Sequence, residues 1–415
     1  MLRNGALGRD NPDQWGLSFD LIRYFDEVPW PEAATRTIMQ QLLDRLIQAG
    51  NIQGAERLHT EITEWATARE DRELTAWALF AGSRIDVRRQ DLFRARDRAN
   101  DAIKLFTALE QTARTADVYV HLAGIELQDG NPATAQEHLQ KAVEAGTINV
   151  EDDNKAILPQ IAAQVSHLQG VMARRNNDLE NAAKLFRQAN EVAGQAGLGP
   201  IALDSGLAYG EALLASRKVE DARTILRQVL GIAQQLGNPV RERGATELLA
   251  QAEGALRNHD AALQLAQRTL QLSQQLKFEH VLPVDLYQVG FFSFLKDKPT
   301  EALTYFKHAE QRIGALPGNH PVVRELFYFK GLSELRTGDP SNAKVSLERA
   351  LEPAKAVNDL PKVASIHDAL AGVAATSGDS QTARQHLQQA IEVAAQANLK
   401  DLRKSLKKKL DQIGA

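Results

Sequence analysis

An all-α array of repeated helical hairpins is the fold class this chain predicts, and three observations predict it. Nine alanines, Ala55, Ala95, Ala135, Ala182, Ala222, Ala262, Ala302, Ala343 and Ala383, recur at steps of 40, 40, 47, 40, 40, 40, 41 and 40 residues. A period of this size over most of a sequence marks stacked supersecondary units rather than one globular core. Twelve residues before the markers stands a second small residue: Ser83, Ala123, Gly170, Gly210, Ala250, Gly290, Gly331 and Ala371, with Leu43 alone departing. The composition, rich in Ala, Leu, Gln, Glu and Arg and only 6% aromatic, favours helix over sheet.

Each unit reads as a helix, a turn and a second helix. Around Ala135, the apolar residues Tyr119, Leu122, Ala123 and Leu127 repeat at helical spacing. Gly130-Asn131-Pro132 ends that helix and opens the next, since proline is tolerated where its missing N–H would be unpaired anyway. Ala135, Leu139 and Ala142 then line one stripe of the second helix. The same grammar returns at Asn177-Asp178, Gly338-Asp339-Pro340 and Gly378-Asp379. Paired small residues let two helices cross closely, which explains why four units accept a mid-helix glycine costing about 0.5–1 kcal/mol relative to alanine.

This pattern, a small residue, a Gly/Asn-Asp-Pro type turn and Ala-xxx-Leu/Phe-xx-Ala, resembles the tetratricopeptide repeat (TPR) over residues 32–398. The usual repeat has about 34 residues, so this chain is similar to the long variant found in sensor arms of bacterial ATP-dependent regulators, in Rap-type pheromone receptors and in Pins-like scaffolds. The resemblance implies a right-handed α-solenoid, or superhelix, of about nine hairpins with terminal capping helices. The consensus aromatic of the first helix is missing at Gly206, Thr246 and His367. The 47-residue step places a surplus near residues 146–153, before a helix through Ile157–Arg175, and predicts an extended first helix in the fourth unit.

Three segments follow from this reading. Residues 1–31 form an irregular N-terminal segment with a cap helix at Leu17–Val28, closed by Pro29-Trp30-Pro31; the alternative is a docking peptide. Residues 32–398 form the solenoid. Residues 399–415 form a basic capping helix, with Leu399, Leu402, Leu406, Leu410 and Ile413 on one stripe and Lys400, Arg403, Lys404, Lys407, Lys408 and Lys409 on the other. Such a helix also suits anionic lipid or nucleic acid, but a formal charge of −4 gives no global drive toward either.

No cysteine is present, so disulfides, thiolate metal sites and cysteine nucleophiles are excluded. No Walker loop, HExxH or GxSxG motif occurs, and Gly194, Gly197 and Gly199 sit at a helix end rather than after a strand. His138 and His386 fall at equivalent points beside a marker leucine and read as interface residues. The expectation is therefore a protein that is not an enzyme, with no cofactor and no metal. The N-terminus lacks the apolar stretch of a secretory leader, so a cytoplasmic location is expected, with no membrane insertion and no nucleic acid.

The resemblance also implies that first helices line the concave side. Positions fifteen, eleven, eight and seven before the marker then give the candidate partner-binding residues. In the seventh and eighth units these are Tyr287, Phe291, Phe294, Leu295, Tyr328, Leu332, Leu335 and Arg336. Nearer the N-terminus are Arg84, Arg88, Arg174 and Arg175, with Trp77 and Phe80. The aromatic group suits an apolar peptide or helix, or else packing with the neighbouring first helix; the arginines suit an acidic segment, or else an ordinary solvated surface. The clamp for chaperone tails is excluded, because its places hold Val120, Gly124 and Gln128, and Leu207, Glu211 and Ala215. The function expected is a protein–protein interaction scaffold or adaptor of bacterial type; the alternative is a signalling-peptide or small-ligand sensor.

Overall fold

The 40-residue period has a simple origin in the computed structural model of the chain, which describes residues 32–48, 50–149, 155–318 and 320–414. Most helices are 17 residues long and most connectors three, and two of each fill one period. Hairpins one to four are α1 (Glu32–Gln48) with α2 (Ile52–Ala68), α3 (Arg72–Arg88) with α4 (Leu92–Ala108), α5 (Thr112–Asp129) with α6 (Pro132–Ala145), and α7 (Pro159–Arg175) with α8 (Leu179–Gln195). Hairpin five is α9 (Gly199–Ala215) with α10 (Val219–Gln235), and six is α11 (Pro239–Ala255) with α12 (His259–Gln275). Seven to nine are α13 (Leu282–Leu295) with α14 (Pro299–Glu310), α15 (Pro321–Arg336) with α16 (Pro340–Ala356), and α17 (Leu360–Thr376) with α18 (Ser380–Gln396); α19 (Lys400–Gly414) follows. The chain is an all-α repeat solenoid. It divides into two compact units at Ser205/Gly206. The cap helix expected at Leu17–Val28 lies outside the described residues.

The connectors repeat one hydrogen-bonding scheme. After α2, Glu70 N–H donates to the Thr67 carbonyl and Asp71 N–H to the Ala66 carbonyl, at 3.2 and 2.9 Å. This satisfies carbonyls that the helix end leaves unpaired, and it requires a left-handed residue. Glycine supplies it at Gly50, Gly130, Gly197, Gly237, Gly338 and Gly378, whereas Glu70, Gln90, Glu110, Asn177, Arg217, Arg257, Lys277, Asp297, Asn358 and Asn398 adopt it despite a side chain. The next residue often caps the following helix: Asp71, Asp91, Asp178, Asp339, Asp359 and Asp379 each accept a backbone N–H three residues on. Asp71 also pairs with Arg36 of α1 at 2.6 Å. Asp71→Ala is expected to cost about 1–2 kcal/mol, read as a lower urea midpoint, while Asp71→Asn retains most of the cap.

All nine marker alanines are fully buried. The small residue twelve positions earlier faces the side chain four residues after the marker. A Cβ on Gly170 would lie 2.7 Å from the Phe186 ring, on Gly210 2.5 Å from Leu226, on Gly290 2.6 Å from Phe306, and on Gly331 2.7 Å from Leu347. The first helix thus presents a notch, and the second fills it. Where Ser83 replaces glycine, its hydroxyl donates to the carbonyl of the marker Ala95 at 2.7 Å.

The 47-residue step is not an extended helix. Helix α7 begins only at Pro159 and keeps the usual 17 residues. The surplus contains two short antiparallel strands, β1 (Thr147–Asn149) and β2 (Lys155–Ile157), with Thr147 opposite Ile157 and Ile148 opposite Ala156. The reason is local. Pro159 cannot donate to a preceding helical turn, and it holds Leu158 extended at φ −52°, ψ 128°.

Helix α19 lays Leu406, fully buried, with Leu399, Leu402, Leu410 and Ile413 against Leu387, Ala390 and Ala394 of α18. Lys409 pairs with Asp368 at 2.7 Å. No helix among the described residues is long and apolar enough to cross a membrane.

Candidate functional site

Within the N-terminal unit, the first helices of consecutive hairpins line a groove of about 640 Å³. Helix α3 contributes Phe80, Arg84 and Val87, and α5 contributes Arg114, Asp117, Val120, His121, Gly124, Ile125 and Gln128. Helix α7 adds Gln160, Gln164, His167 and Leu168, and the start of α9 adds Ile201, Asp204 and Ser205. The second helices do not reach it, because each hairpin turns their apolar stripe inward against its own first helix.

The polar groups of the groove fall into definite states. Ser83 spends its proton on Ala95, so its oxygen accepts from His121 Nε2–H at 2.9 Å. That assignment leaves His121 Nδ1 as an acceptor. Burial, with Arg84 adding to it, pushes the His121 pKa down to about 4, so the ring is neutral at physiological pH. Burial also lowers His167, which lies 3.1 Å from Ser205 Oγ through Nδ1. Asp117 accepts from Gln160 Nε2 at 2.6 Å; burial raises its carboxyl pKa, and Gln160 and Arg114 oppose the rise. Gln164 has a buried carbonyl oxygen with no hydrogen-bond partner.

The arginines singled out from the sequence are largely engaged. Arg84 forms an ion pair with Asp44 of α1 at 2.5 Å and lies 6.0 Å from the Phe80 ring. Arg174 stands 6.0 Å from the Phe186 ring, and Arg175 donates to the Leu127 carbonyl. Arg88 is exposed but outside the groove lining. Trp77 is buried in the core of its unit, so it supplies packing. Of the six N-terminal candidates, the groove brings together Phe80 and Arg84.

In the C-terminal unit, the aromatic candidates join one ring cluster whose hub is Phe329. Its ring lies 4.9 Å from Phe291, 5.5 Å from Phe294 and 5.1 Å from Tyr328, and Tyr287 stacks on Phe291 at 6.0 Å. Phe294 is buried; Tyr287, Phe291, Tyr328 and Leu332 are half-buried, and Leu295 and Arg336 are exposed. Arg336 covers the Phe294 ring at 4.2 Å, and Lys362 of α17 covers Tyr328 at 4.3 Å. Much of this surface is therefore spent on joining consecutive first helices.

Sequence reasoning missed Asp117, His121, Gln164, Asp204 and Phe329. A signal was present, because Asp117, Gln164 and Asp204 each stand eighteen residues before a marker alanine, and His121 and Phe329 fourteen before. Those two registers face the groove and the neighbouring first helix, but lie outside the four registers sampled. Among the described residues no group of three or more His, Cys, Asp or Glu side chains is placed to hold a metal ion.

No family model and no curated protein matches the chain. Solved structures do resemble it. One is a signal-transduction ATPase with numerous domains from Pyrococcus horikoshii that carries a tetratricopeptide repeat sensor, at a TM-score of 0.61 and 13% identity, covering 89% of this chain and 55% of that one. This chain thus spans about half the length of that ATPase. Another is the apo form of RapI, at a TM-score of 0.56 and 13% identity, covering 88% of this chain and 98% of that one. With the hairpin grammar, the buried marker alanines and these likenesses, the fold is that of the tetratricopeptide-type repeat proteins, in a form built on 40-residue units.

Proposed function

We propose that the chain is a non-enzymatic scaffold that holds an extended segment of a partner protein or peptide in the first-helix groove of its N-terminal unit. The observation that carries this reading is the groove itself, with the side-chain amides of Gln128 and Gln164 unpartnered inside the protein. A carboxamide offers one acceptor and two donors, which matches the alternating C=O and N–H of an extended backbone. Phe80, Val120, Leu168 and Ile201 supply apolar contact between the polar groups. In the C-terminal unit, the half-buried rings of Tyr287, Phe291 and Tyr328, with Leu295, Leu332 and Arg336, form a second candidate contact surface. A signalling-peptide sensor would use the same groove.

Gly124 provides the test. A Cβ built there meets nothing within 4 Å, so Gly124→Phe fills the groove without disturbing the helix pair. Peptides selected from a random display library on the full chain are expected to lose at least tenfold in affinity for Gly124→Phe, at an unchanged or higher melting temperature. Unchanged affinity would overturn the groove reading.

A further inference from the structure

The groove carries more acceptors than donors, and this identifies the kind of segment it takes. Four charged side chains line it: Arg84, Arg114, Asp117 and Asp204. Arg84 is already neutralised by Asp44, which lies outside the lining. The remaining balance is one exposed guanidinium, Arg114, against two half-buried carboxylates, Asp117 and Asp204. Around them stand the Nδ1 lone pair of His121 and the unpartnered carbonyl oxygen of Gln164. Asp117 receives a single hydrogen bond, from Gln160, although a carboxylate accommodates about four.

A ligand that covers these groups strips their water. A covering surface of carbonyls or carboxylates would leave the acceptors unpaired in a low-dielectric site, which is the expensive outcome. A surface rich in N–H groups would pair them, and a cation would form charge-assisted bonds to Asp117 that neutral donors do not match. The registers add a direction. Asp117, Gln164 and Asp204 occupy the same position on the first helices of consecutive hairpins, so carboxylate, amide and carboxylate follow one another along the groove.

Resting on the groove reading above, we propose that the bound segment is a basic peptide whose Lys or Arg side chain pairs with Asp117, its backbone lying along Gln164 and Gln128. The arginine patch read from the sequence points the other way, to an acidic partner; the engagement of Arg84, Arg174 and Arg175 within the protein removes most of that attraction.

Three fluorescein-labelled Gly/Ser heptapeptides, carrying two Arg, two Gln or two Glu, test this by anisotropy against the full chain. The Arg peptide is expected to bind at least tenfold tighter than the others. Asp117→Asn, which retains an acceptor for Gln160, should abolish that preference, and Gly124→Phe should abolish the binding. Equal or tighter binding of the Gln or Glu peptide, still blocked by Gly124→Phe, would overturn the basic-ligand proposal and leave the groove reading intact. Arg-peptide binding that neither variant alters would overturn both. Failure of all three peptides to bind would overturn the proposal, with the display selection left to decide the groove reading by itself.

Discussion

Gly290→Val is expected to be among the most damaging single substitutions in the C-terminal unit, with a loss of about 3 kcal/mol. Gly290 sits in α13 against the face of α14, and even a methyl carbon there would stand 2.6 Å from the Phe306 ring and 3.2 Å from the Ala302 carbonyl. Neither neighbour yields easily. Phe306 is fully buried, and the carbonyl belongs to the backbone of a marker alanine. The two helices must therefore separate, and close packing is lost along the hairpin. Gly124→Ala is the control: it lies in an equally helical setting but meets open space, so it should gain about 0.5–1 kcal/mol. Gly290→Ala combined with Phe306→Leu should cost less than the two changes added, because the second opens the space the first needs. Urea denaturation of the four variants measures all of this.

The second large effect concerns a buried charge. Asp285 of α13 is wholly buried, and its carboxylate meets Arg243 of α11 at 2.8 Å. The same guanidinium pairs with Glu247 at 2.9 Å and donates through Nε to Ser273 Oγ at 2.6 Å. Arg243→Met would leave Asp285 buried beside a second carboxylate with no cation, a loss of about 3–5 kcal/mol at pH 7.5. The pH dependence has a definite sign. Burial raises the pKa of both carboxyls above their ordinary values, and Arg243 holds each down. A carboxyl with a raised native pKa keeps its proton after the unfolded chain has released it, so stability falls as pH rises through that window. Removing Arg243 raises the native values further and widens the window. The deficit of Arg243→Met is therefore expected to be smallest near pH 4.5 and largest near pH 7.5, in urea midpoints taken at each. An equal deficit at both would assign the loss to packing instead of charge.

The hairpin architecture was legible in the sequence because it rests on sterics that repeat. Where Ala302 and Gly290 must interlock with Phe306, no other residue types serve, and the same constraint returns every 40 residues. The extra residues of the fourth unit were less legible. Their length fits two helical turns as well as a strand pair, and the deciding feature, Pro159 fixing the helix start, reads equally as an interior break. The candidate site was legible only in part. Periodicity identifies which face of a first helix looks away from its own hairpin, but not how the next first helix covers that face. Phe294 and Trp77 are buried by such neighbours, while Asp117 and Gln164, two registers away, stand in the groove. Charge was misleading for a related reason: Arg84 and its partner Asp44 are 40 residues apart, one full repeat, and nothing in a single unit shows that they meet.

The ten connector residues that take a left-handed backbone without being glycine all project into solvent. Because backbone hydrogen bonds impose that turn, the side chain at its tip is free to be Glu, Gln, Asn, Arg, Lys or Asp. In a polypeptide devoid of thiols, a cysteine at Gln90 and another at Asn177 would give two unique labelling points at equivalent corners of the second and fourth hairpins. A dye pair there makes the N-terminal unit its own calliper, reporting whether occupancy of the groove draws those corners together.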